Sequence, residues 1–465
     1  MKQEKQRNQQ EKTAREIALE ILYPIFEKQA FANLRLEKAL AGYRIKPEDR
    51  ALITEIVNGT VRMRLRLDWT LGHFLKKGIE KLNPWLRNIL RLSAYQILFM
   101  ERIPAHAAVS EAVRLTRMKA SEGLTGLCNG VLRNLLREKD KIPLWLAEIK
   151  DLLLHDEVQY SMPRFLLQEL QQILPGEQKD AVLQFLNTPA GVELRVNSCR
   201  LCAGELAEKL KAEGVETEVL PDVPGALRVL RTSGSLTETK AFREGDFYIQ
   251  NRASQLAGLL ASPQPGETVF DLCCGIGGKA THLAEISREQ ADITAVELYA
   301  HKLQLLLENC ERLGLKRIHP LRADITEGLS DFSGRADCVL LDVPCSGWGV
   351  LHRRADLRWG QTENQLKELE ALQSRLLEQA QKLVKPGGRL LYTTCTIRPE
   401  ENEERILTFL ADHPQYQPEG FADVFSGMDL SAEDRTRAAD GMLTLLPGMY
   451  GTDGMFYAKL RKSAE

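Results

Sequence analysis

From about residue 245 to the C-terminus, short β-prone runs alternate with helical ones, and this alternation limits the fold more than any other feature of the chain. The β-prone runs predict strands at 268–273, 292–296, 318–322, 337–342, 388–394, 443–446 and 454–460. Helical periodicity fills the gaps, at 278–286, 300–313, 362–384 and 400–410. Strands that alternate with helices predict a doubly wound, mostly parallel α/β sheet, whose ligand crevice lies at the C-terminal ends of the strands.

The first third of the chain has a different pattern. Between residues 13 and 140 apolar residues recur at three- and four-residue steps, and Pro47, Pro84 and Pro104 lie between the periodic runs as helix starts or breaks. An all-α domain is therefore expected. Residues 1–150 carry 28 Lys and Arg against 17 Asp and Glu, although the whole chain has a net charge of −2. This excess indicates a polyanion-binding surface; the alternative is a solvated helical face that happens to be basic.

The segment between these two parts has a mixed signal. Helical periodicity occurs near 164–173 and 204–214, and β-prone runs occur at 192–197 and 226–231. A small α+β insert is expected here. The chain is therefore expected to divide into an all-α domain (1–143), an α+β insert (144–244) and a doubly wound domain (245–465).

Composition excludes several classes of protein. The first fifteen residues are polar and charged, unlike a secretory signal, and no apolar run is long enough to span a bilayer. The nine cysteines are scattered and odd in number, which favours free thiols over a disulfide framework. The pair Cys199 and Cys202 has no second pair at zinc-finger spacing. We therefore expect a cytoplasmic protein without a membrane or metal partner.

A glycine-rich loop follows the first predicted strand of the C-terminal segment. It reads Asp-Leu-Cys-Cys-Gly-Ile-Gly-Gly-Lys over 271–279, so the backbone can turn tightly and approach a ligand at a helix N-terminus. Two more acids, Glu297 and Asp324, end the next two strands, suitably placed for a ribose and an adenine edge. Singly, each feature is more often structural. Together they predict a nucleoside-binding site, and spacing alone leaves open whether the cofactor is a dinucleotide or S-adenosylmethionine.

Two cysteines end the fourth and fifth predicted strands, Cys345 in Asp-Val-Pro-Cys-Ser-Gly and Cys395 in Thr-Thr-Cys-Thr-Ile. An isolated cysteine is usually a buried core residue, but two on the rim of one parallel sheet can both face a cofactor. A thiolate that adds to C6 of a cytosine makes C5 nucleophilic enough to accept a methyl group. Asp342 is placed to hold the N3 edge of such a base and to supply a proton; its alternative role is to cap a turn.

Six segments carry a resemblance to a known family: DLCCGIGGK, AVELYAHK, LRADIT, LLDVPCSGWGVLHRRADLRW, VKPGGRLLYTTCTIRPEENE and DGMFYAKL. Through them, residues 250–460 resemble the RNA cytosine-C5 methyltransferases of the RsmB/Sun family, with a class I, Rossmann-like methyltransferase domain. Residues 13–140 resemble the helical RNA-binding domain of the NusB antitermination factor. The resemblance implies S-adenosylmethionine as cofactor and a cytosine of small-subunit (16S) ribosomal RNA as substrate.

The resemblance also implies roles for single residues. Cys395 is the implied nucleophile, and Cys345 is implied to assist release of the methylated product, the reverse of the DNA cytosine-C5 enzymes. Cofactor contacts are implied for Cys273, Cys274, Gly275, Ile276, Gly277, Gly278, Lys279, Glu297, Asp324 and Asp342. The family's usual loop is Cys-Ala-Ala-Pro-Gly-Gly-Lys, from which this chain departs at 274–276.

The target base must leave its stack before a thiol can reach C6, so a single-stranded or flipped nucleotide is expected. Arg353, Arg354, Arg358 and Trp359 are candidates to guide phosphates and stack a base, with core packing as the alternative for Trp359. We expect a monomer. The competing hypotheses are a methyltransferase for transfer RNA or another RNA, a nonenzymatic RNA-binding antitermination-like factor, and a nicotinamide oxidoreductase. An amino-group methyltransferase is disfavoured because Pro344 is followed by a cysteine.

Overall fold

The structure is a computed structural model that describes residues 12–464, other than 29, 44, 175 and 233. The chain forms two compact units, one of residues 1–189 and 351–360 and the other of residues 190–350 and 361–465. A search of the described helices for one both long enough and apolar enough to cross a bilayer finds none.

The first unit is helical, as the periodicity predicts. Its helices are α1 (Ala14–Lys28), α2 (Ala32–Gly42), α3 (Pro47–Arg62), α4 (Arg64–Gly72), α5 (Pro84–Phe99), α6 (Ala105–Leu115), α7 (Thr125–Glu138), α8 (Ile142–Ala147), α9 (Leu152–Tyr160), α10 (Arg164–Ile173) and α11 (Gly176–Phe185). Pro47 and Pro84 are the first residues of their helices and Pro104 immediately precedes α6, because proline lacks the N–H that a helix interior needs. Apolar side chains of α1, α3, α5 and α7 bury a common core.

The second unit begins with a four-stranded antiparallel sheet. Its elements are β1 (Glu193–Val196), α12 (Ala203–Ala212), β2 (Val215–Leu220), β3 (Ala226–Thr232), α13 (Lys240–Arg243) and β4 (Phe247–Ile249). The strand order is β2-β3-β1-β4. Leu194, Leu227 and Phe247 pack with Leu206 and Leu210 of α12, so the helix covers one face of this sheet.

The large sheet of the second unit is the one that the strand–helix alternation predicts. Its elements are α14 (Arg252–Ala261), β5 (Thr268–Leu272), α15 (Gly278–Ile286), β6 (Asp292–Glu297), α16 (Ala300–Leu313), β7 (Ile318–Arg322), β8 (Ala336–Asp342), α17 (Glu363–Leu383), β9 (Val384–Thr394), α18 (Glu403–Asp412), β10 (Tyr416–Pro418), α19 (Ala432–Ala439), β11 (Met442–Leu445) and β12 (Met455–Lys462). The order is β10-β12-β9-β8-β5-β6-β7, with β11 paired to β12.

The strands from β5 to β9 are parallel, and β10 to β12 add antiparallel strands at one side. The predicted α/β fold class is thus confirmed. Because β5, β6, β8 and β9 run in one direction, the residues that follow them meet at one rim of the sheet.

The compact units differ from the three segments expected from the sequence. The helices between 144 and 189 cluster with the N-terminal helices, and the small sheet clusters with the large one. In addition, the ten residues 351–360 leave the second unit just after Val350 and pack within the helical unit. Long-range packing of this kind leaves no trace in local periodicity.

Candidate active site

The glycine-rich loop joins β5 to α15 through a backbone that only a few residue types can adopt. Cys273, Gly275 and Gly277 all have positive φ, of 62°, 59° and 87°. A Cβ at Gly277 would lie 2.1 Å from Leu306 Cδ1, so this position requires glycine for space as well as for conformation. The loop thus brings peptide N–H groups to the N-terminus of α15, which favours a polar or anionic ligand group.

The remaining residues of the loop have unequal exposure. Cys274 is buried, and its N–H donates to Val296 O at 3.0 Å. Burial, followed by the negative charges of nearby carboxylates, raises the pKa of Cys273 and of Cys274, which therefore remain thiols at neutral pH. Ile276 is 46% exposed, and its carbonyl accepts from Asn309 Nδ2 at 3.1 Å.

Glu297, at the end of β6, lies against the loop. Its side chain is buried, Oε2 accepts from the Gly275 N–H at 3.1 Å, and Oε1 accepts from the Tyr299 N–H at 3.1 Å. Lys302 Nζ lies 3.3 Å from Oε1. The carboxylate therefore fixes the loop and lies where a ribose is expected.

Asp324 forms its hydrogen bonds locally, with Thr326, and not with the glycine-rich loop. It lies two residues beyond β7, is exposed, and Oδ1 accepts from the Thr326 N–H at 2.9 Å and from Thr326 Oγ1 at 2.7 Å. These hydrogen bonds lower the pKa of Asp324, so it is a carboxylate at neutral pH. Its contact with an adenine edge stays a prediction.

Asp271, the third acid, is fully buried at the end of β5, and both its carboxyl oxygens lack a hydrogen-bond partner among the described residues. Burial raises the pKa of Asp271 to about 8; the positive charge of Lys279 opposes this shift, and the charges of Asp342 and Glu297 add to it. An orphaned buried carboxyl beside the loop is a group that still lacks a partner.

Lys279 links the loop to the end of β8. Its Nζ lies 2.6 Å from Asp342 Oδ2, and Thr393 Oγ1 donates to Asp342 Oδ1 at 2.8 Å. Burial alone would lower the pKa of Lys279, but the charge of Asp342 and the hydrogen bond to it outweigh burial, and the pKa is raised. Cys395 is also close enough to contribute to this shift in the pKa of Lys279.

The two predicted cysteines face each other across the rim. Cys345 Sγ and Cys395 Sγ are 3.3 Å apart, and both residues are partly exposed. The hydrogen bond with Cys395, then burial, then nearby negative charges raise the pKa of Cys345 well above the ordinary range. Two sulfurs this close disfavour a second negative charge, so at least one of the pair is a thiol. The assignment of Cys395 as the nucleophile stays a prediction.

A buried acid that the sequence analysis missed joins the two cysteine-bearing loops. Glu401 is completely buried; it accepts from the Ser346 N–H at 3.0 Å, from Ser346 Oγ at 2.5 Å and from Gln373 Nε2 at 2.7 Å. Ser346 Oγ is in turn 2.7 Å from Thr396 Oγ1. Because Ser346 and Thr396 each follow one of the cysteines, Glu401 sets the spacing between the two thiols. The acidic run after Pro399 was the available sequence signal.

A second missed residue, Arg195 of β1, fixes the start of α15. It is buried, pairs with Glu285 at 2.8 Å and donates to Gly278 O at 2.7 Å and to Gln250 Oε1 at 2.6 Å. The small sheet thereby supports the glycine-rich loop, which no local pattern in the sequence indicates.

The expected RNA-guiding residues after the Pro-Cys-Ser-Gly segment are placed differently. Arg358 is buried and donates to Asn187 Oδ1 at 2.7 Å, so its prediction as an open phosphate guide is wrong. Trp359 Nε1 donates to Val61 O at 2.8 Å and the ring packs at the edge of the helical core, as the alternative expected. Arg354 lies 3.5 Å from Asp356. Hydrogen bonds to residues distant in the chain hold Arg358 and Trp359 in place, although the charges of this segment suggest exposure.

A doubly wound sheet with a glycine loop after its first strand, carboxylates at the following strand ends and two thiols on the same rim defines a Rossmann-like methyltransferase that uses S-adenosylmethionine. Comparison with known proteins agrees. Residues 258–461 match the family described as 16S rRNA methyltransferase RsmB/F, residues 12–137 match the NusB family, and residues 162–234 match the ferredoxin-like domain of RsmF/B-like methyltransferases.

The chain belongs to the ribosomal RNA small subunit methyltransferase B family. It is 34% identical to a probable ribosomal RNA small subunit methyltransferase B of Bacillus subtilis (strain 168), over 97% of this chain and 99% of that one. A similarly named protein of Synechocystis sp. is also 34% identical, over 97% and 100%. Among solved structures, PH0851 matches with a TM-score of 0.79 and 27% identity, over 97% and 99%. The family resemblance read from the motifs is confirmed.

Proposed function

We propose that this protein methylates C5 of a specific cytosine in small-subunit (16S) ribosomal RNA, with S-adenosylmethionine as methyl donor. The RNA class is suggested by the names of the relatives, whose matches span nearly the whole chain. The observation that carries C5 chemistry is the 3.3 Å approach of Cys345 Sγ and Cys395 Sγ at the rim that also holds Asp342 and Lys279. Cytosine C5 needs covalent activation of this kind, whereas an amino group does not.

In the proposed reaction the Cys395 thiolate adds to C6 of the cytosine. The electron pair of the C5–C6 double bond moves through the ring towards N3, which takes a proton, and C5 becomes the nucleophilic carbon of an enamine. Bound S-adenosylmethionine supplies an electrophilic methyl group for C5. Loss of the C5 proton to a base then restores the C5–C6 double bond and expels the Cys395 thiolate, and N3 gives up the proton that it took.

Asp342 and Lys279 are proposed to position the pyrimidine. Asp342 Oδ1 and Oδ2 accept from Thr393 and Lys279, which fixes the carboxyl plane at the end of β8. A carboxyl group held there suits the N3 and N4 edge of the base and can deliver the proton that N3 requires. Cys345 is proposed to remain a thiol beside the Cys395 sulfur, which is bonded to C6 in the intermediate, and to assist release of the product.

The residues around the glycine loop suit the cofactor. The buried Asp271 carboxyl, the exposed side of the Cys273–Lys279 loop and the buried Glu297 carboxylate lie at one rim, and a Cβ at Gly275 would meet open space. We propose that Cys273, Cys274, Gly275, Ile276, Gly277, Gly278, Lys279, Glu297, Asp324 and Asp342 contact the cofactor. We further propose that residues 1–143 bind RNA, that residues 144–244 assist RNA binding as a linker subdomain, that residues 245–465 carry out transfer, and that the protein acts as a monomer.

The central test uses three variants with labelled cofactor and a small-subunit rRNA transcript. Cys395→Ala should give no 5-methylcytosine and no adduct, whereas Cys345→Ala should accumulate a protein–RNA adduct that survives denaturing electrophoresis. Cys199→Ala, which changes an exposed cysteine of the same unit, should behave as wild type. Turnover by Cys395→Ala would eliminate the mechanism, and an adduct formed only by Cys395→Ala would assign the nucleophile to Cys345.

A second arm tests the substrate. Equal amounts of small-subunit rRNA, large-subunit rRNA and transfer RNA transcripts should yield product only from the first. If only transfer RNA is methylated, the proposed substrate is wrong, but the proposed C5 chemistry stands. Failure to bind S-adenosylmethionine at all would favour a nonenzymatic RNA-binding factor.

A further inference from the structure

The helical unit contains a pocket of about 340 Å³ that is separate from the rim cysteines in sequence and belongs wholly to residues 1–189. We call it the arginine pocket, and its principal lining residues are Arg62, Arg66, Tyr95, Phe99, Gln159 and Asn187. They come from α3, α4, α5 and α9 and from the segment after α11. The volume falls at the lower end of the range for small-molecule sites, so the pocket has room for a single nucleotide and not for a nucleic-acid helix.

Positive charge gathers at this pocket without a matching number of carboxylates. Within the described part of the chain, neither Arg62 nor Arg66 forms an ion pair with a carboxylate, and the lining acid Glu55 accepts a hydrogen bond from the Tyr95 hydroxyl. Arg62 is only 4% exposed, and its Nε is buried without a hydrogen-bond partner. Arg62 Nη2 donates to His352 O at 3.2 Å, and the negative charge of Glu55 acts on the guanidinium, but Glu55 also holds the Tyr95 hydroxyl. An anion in the pocket would therefore give Nε a partner and complete the charge compensation.

A third guanidinium lies behind the pocket. Arg358 is buried and donates to Asn187 Oδ1 at 2.7 Å, so its charge faces a residue of the pocket wall. Burial, followed by the positive charge of Arg62, lowers the pKa of Arg358 to about 9. Arg62 and Arg358 thus repel each other, and an anion beside Arg62 would relieve that repulsion.

The pocket also presents an aromatic surface. Phe99 is 37% exposed although it is large and apolar, and its ring stacks on Tyr95 with centroids 5.4 Å apart and planes 26° apart. The Arg66 guanidinium lies 5.8 Å from the Phe99 centroid. Arg66 Nη1 also donates to Gln159 O at 3.4 Å, which leaves the guanidinium without a carboxylate partner among the described residues. An exposed ring beside such a guanidinium is the combination with which proteins stack a base and hold its phosphate in single-stranded nucleic acid.

We propose that the arginine pocket binds one unpaired nucleotide of the RNA substrate, with the phosphate on Arg62 and Arg66 and the base against Phe99. This proposal rests on the proposed function for the identity of the RNA. An unstacked nucleotide within a longer RNA offers both a phosphate for the arginines and an exposed base for the Phe99 ring. A double helix keeps its bases stacked, and a free nucleotide lacks the rest of the polyanion, so both fit the observations less well. The pocket is thus a site for substrate capture that is distinct from the catalytic thiols.

The test measures the affinity of cofactor-saturated full-length protein for a small-subunit rRNA transcript and for a single-stranded oligonucleotide of the same region. Arg66→Ala and Phe99→Ala should each weaken binding of both RNAs by about tenfold. Arg66→Ala should also reduce the slope of log affinity against log salt by about one, whereas Phe99→Ala should leave that slope unchanged. Phe99→Trp keeps a stacking surface and should retain wild-type affinity.

The control is Arg437→Ala, which removes an equal charge from a side chain that is 50% exposed on α19, outside the residues proposed to bind RNA. Circular dichroism of each variant must match the wild type, and the control should keep wild-type affinity and kcat. If Arg66→Ala and Phe99→Ala bind RNA as tightly as Arg437→Ala does, the pocket is not an RNA site. If the pocket variants bind RNA more weakly but the wild type forms no methylated product, the pocket is an RNA site and the proposed function is wrong.

Discussion

Replacement of Glu401 by glutamine tests whether this buried side chain determines the distance between Cys345 Sγ and Cys395 Sγ. The substitution keeps the shape of the side chain but turns one acceptor oxygen into a donor. Oε1 accepts from Ser346 Oγ, and Oε2 accepts from the Ser346 N–H and from Gln373 Nε2. An amide nitrogen in place of Oε2 faces two N–H donors, from Ser346 and Gln373. An amide nitrogen in place of Oε1 faces Arg398 Nη1, which lies 3.5 Å away, although the Ser346 hydroxyl can turn to accept from it.

A hydrogen bond to a charged acceptor contributes about 1.5–3 kcal/mol, and each 1.4 kcal/mol corresponds to about a tenfold change in rate. If loss of this hydrogen bond moves Cys345 and Cys395 out of their reactive positions, the activation free energy rises by that amount. The kcat of Glu401→Gln should then fall by about 10- to 100-fold. KM for the RNA should change little, because Glu401 is completely buried and cannot contact RNA.

The assay is steady-state methyl transfer at 25 °C, with thermal unfolding measured in parallel. The control is Glu404→Gln, an exposed acid three residues along the chain, which should retain wild-type kcat. A variant with lowered stability but unchanged kcat below its unfolding temperature would refute the idea that Glu401 positions the thiols, because a purely structural role predicts that result.

Two further predictions concern the glycine-rich loop. The folded protein holds the proton of Asp271 more tightly than the unfolded chain does, since folding raises the pKa from 3.8 to about 8. The free energy of unfolding without cofactor should therefore decrease as the pH rises from about 4 to about 8. In urea titrations, Asp271→Asn should make this decrease smaller. An Asp271→Asn curve that is parallel to wild type would contradict the assigned pKa. Gly277→Ala should destabilise the fold by about 1–3 kcal/mol and weaken cofactor binding in calorimetry, because of its φ of 87° and the clash with Leu306. Retained affinity in Gly277→Ala/Leu306→Ala would assign the effect to the clash alone.

Much of the fold was predictable because the large sheet follows local rules. Helices at Gly278–Ile286 and Ala300–Leu313 and the strand at Ile318–Arg322 have the predicted bounds. The two missed strands differ in this respect. Val215–Leu220, at an edge of the small sheet, alternates Val and Thr with Glu, which is a local strand signal that the sequence analysis did not use. Tyr416–Pro418 is three residues long and ends in proline, so its pairing comes from the neighbouring strand and not from its own composition.

The site was predictable to a different extent. The rule that parallel strands end at one rim is sufficient to place Cys345 near Cys395, but it does not give their contact distance. We infer that this distance depends on the hydrogen bonds between Glu401 and Ser346, which lie 55 residues apart in the chain. Arg358 was misplaced for the same reason, because its partners at 186 and 187 lie in a different part of the chain.

The ten-residue segment 351–360 also determines where the chain can be divided. A fragment that starts at residue 190 would contain every element of the large sheet but would carry Leu351–Gly360 without the helices that receive it. The buried guanidinium of Arg358 and the indole of Trp359 would then be exposed to solvent, immediately after the loop that contains Cys345. A cut at residue 190 therefore separates the segment 351–360 from the helices with which it packs, and no single cut in the sequence separates the two compact units.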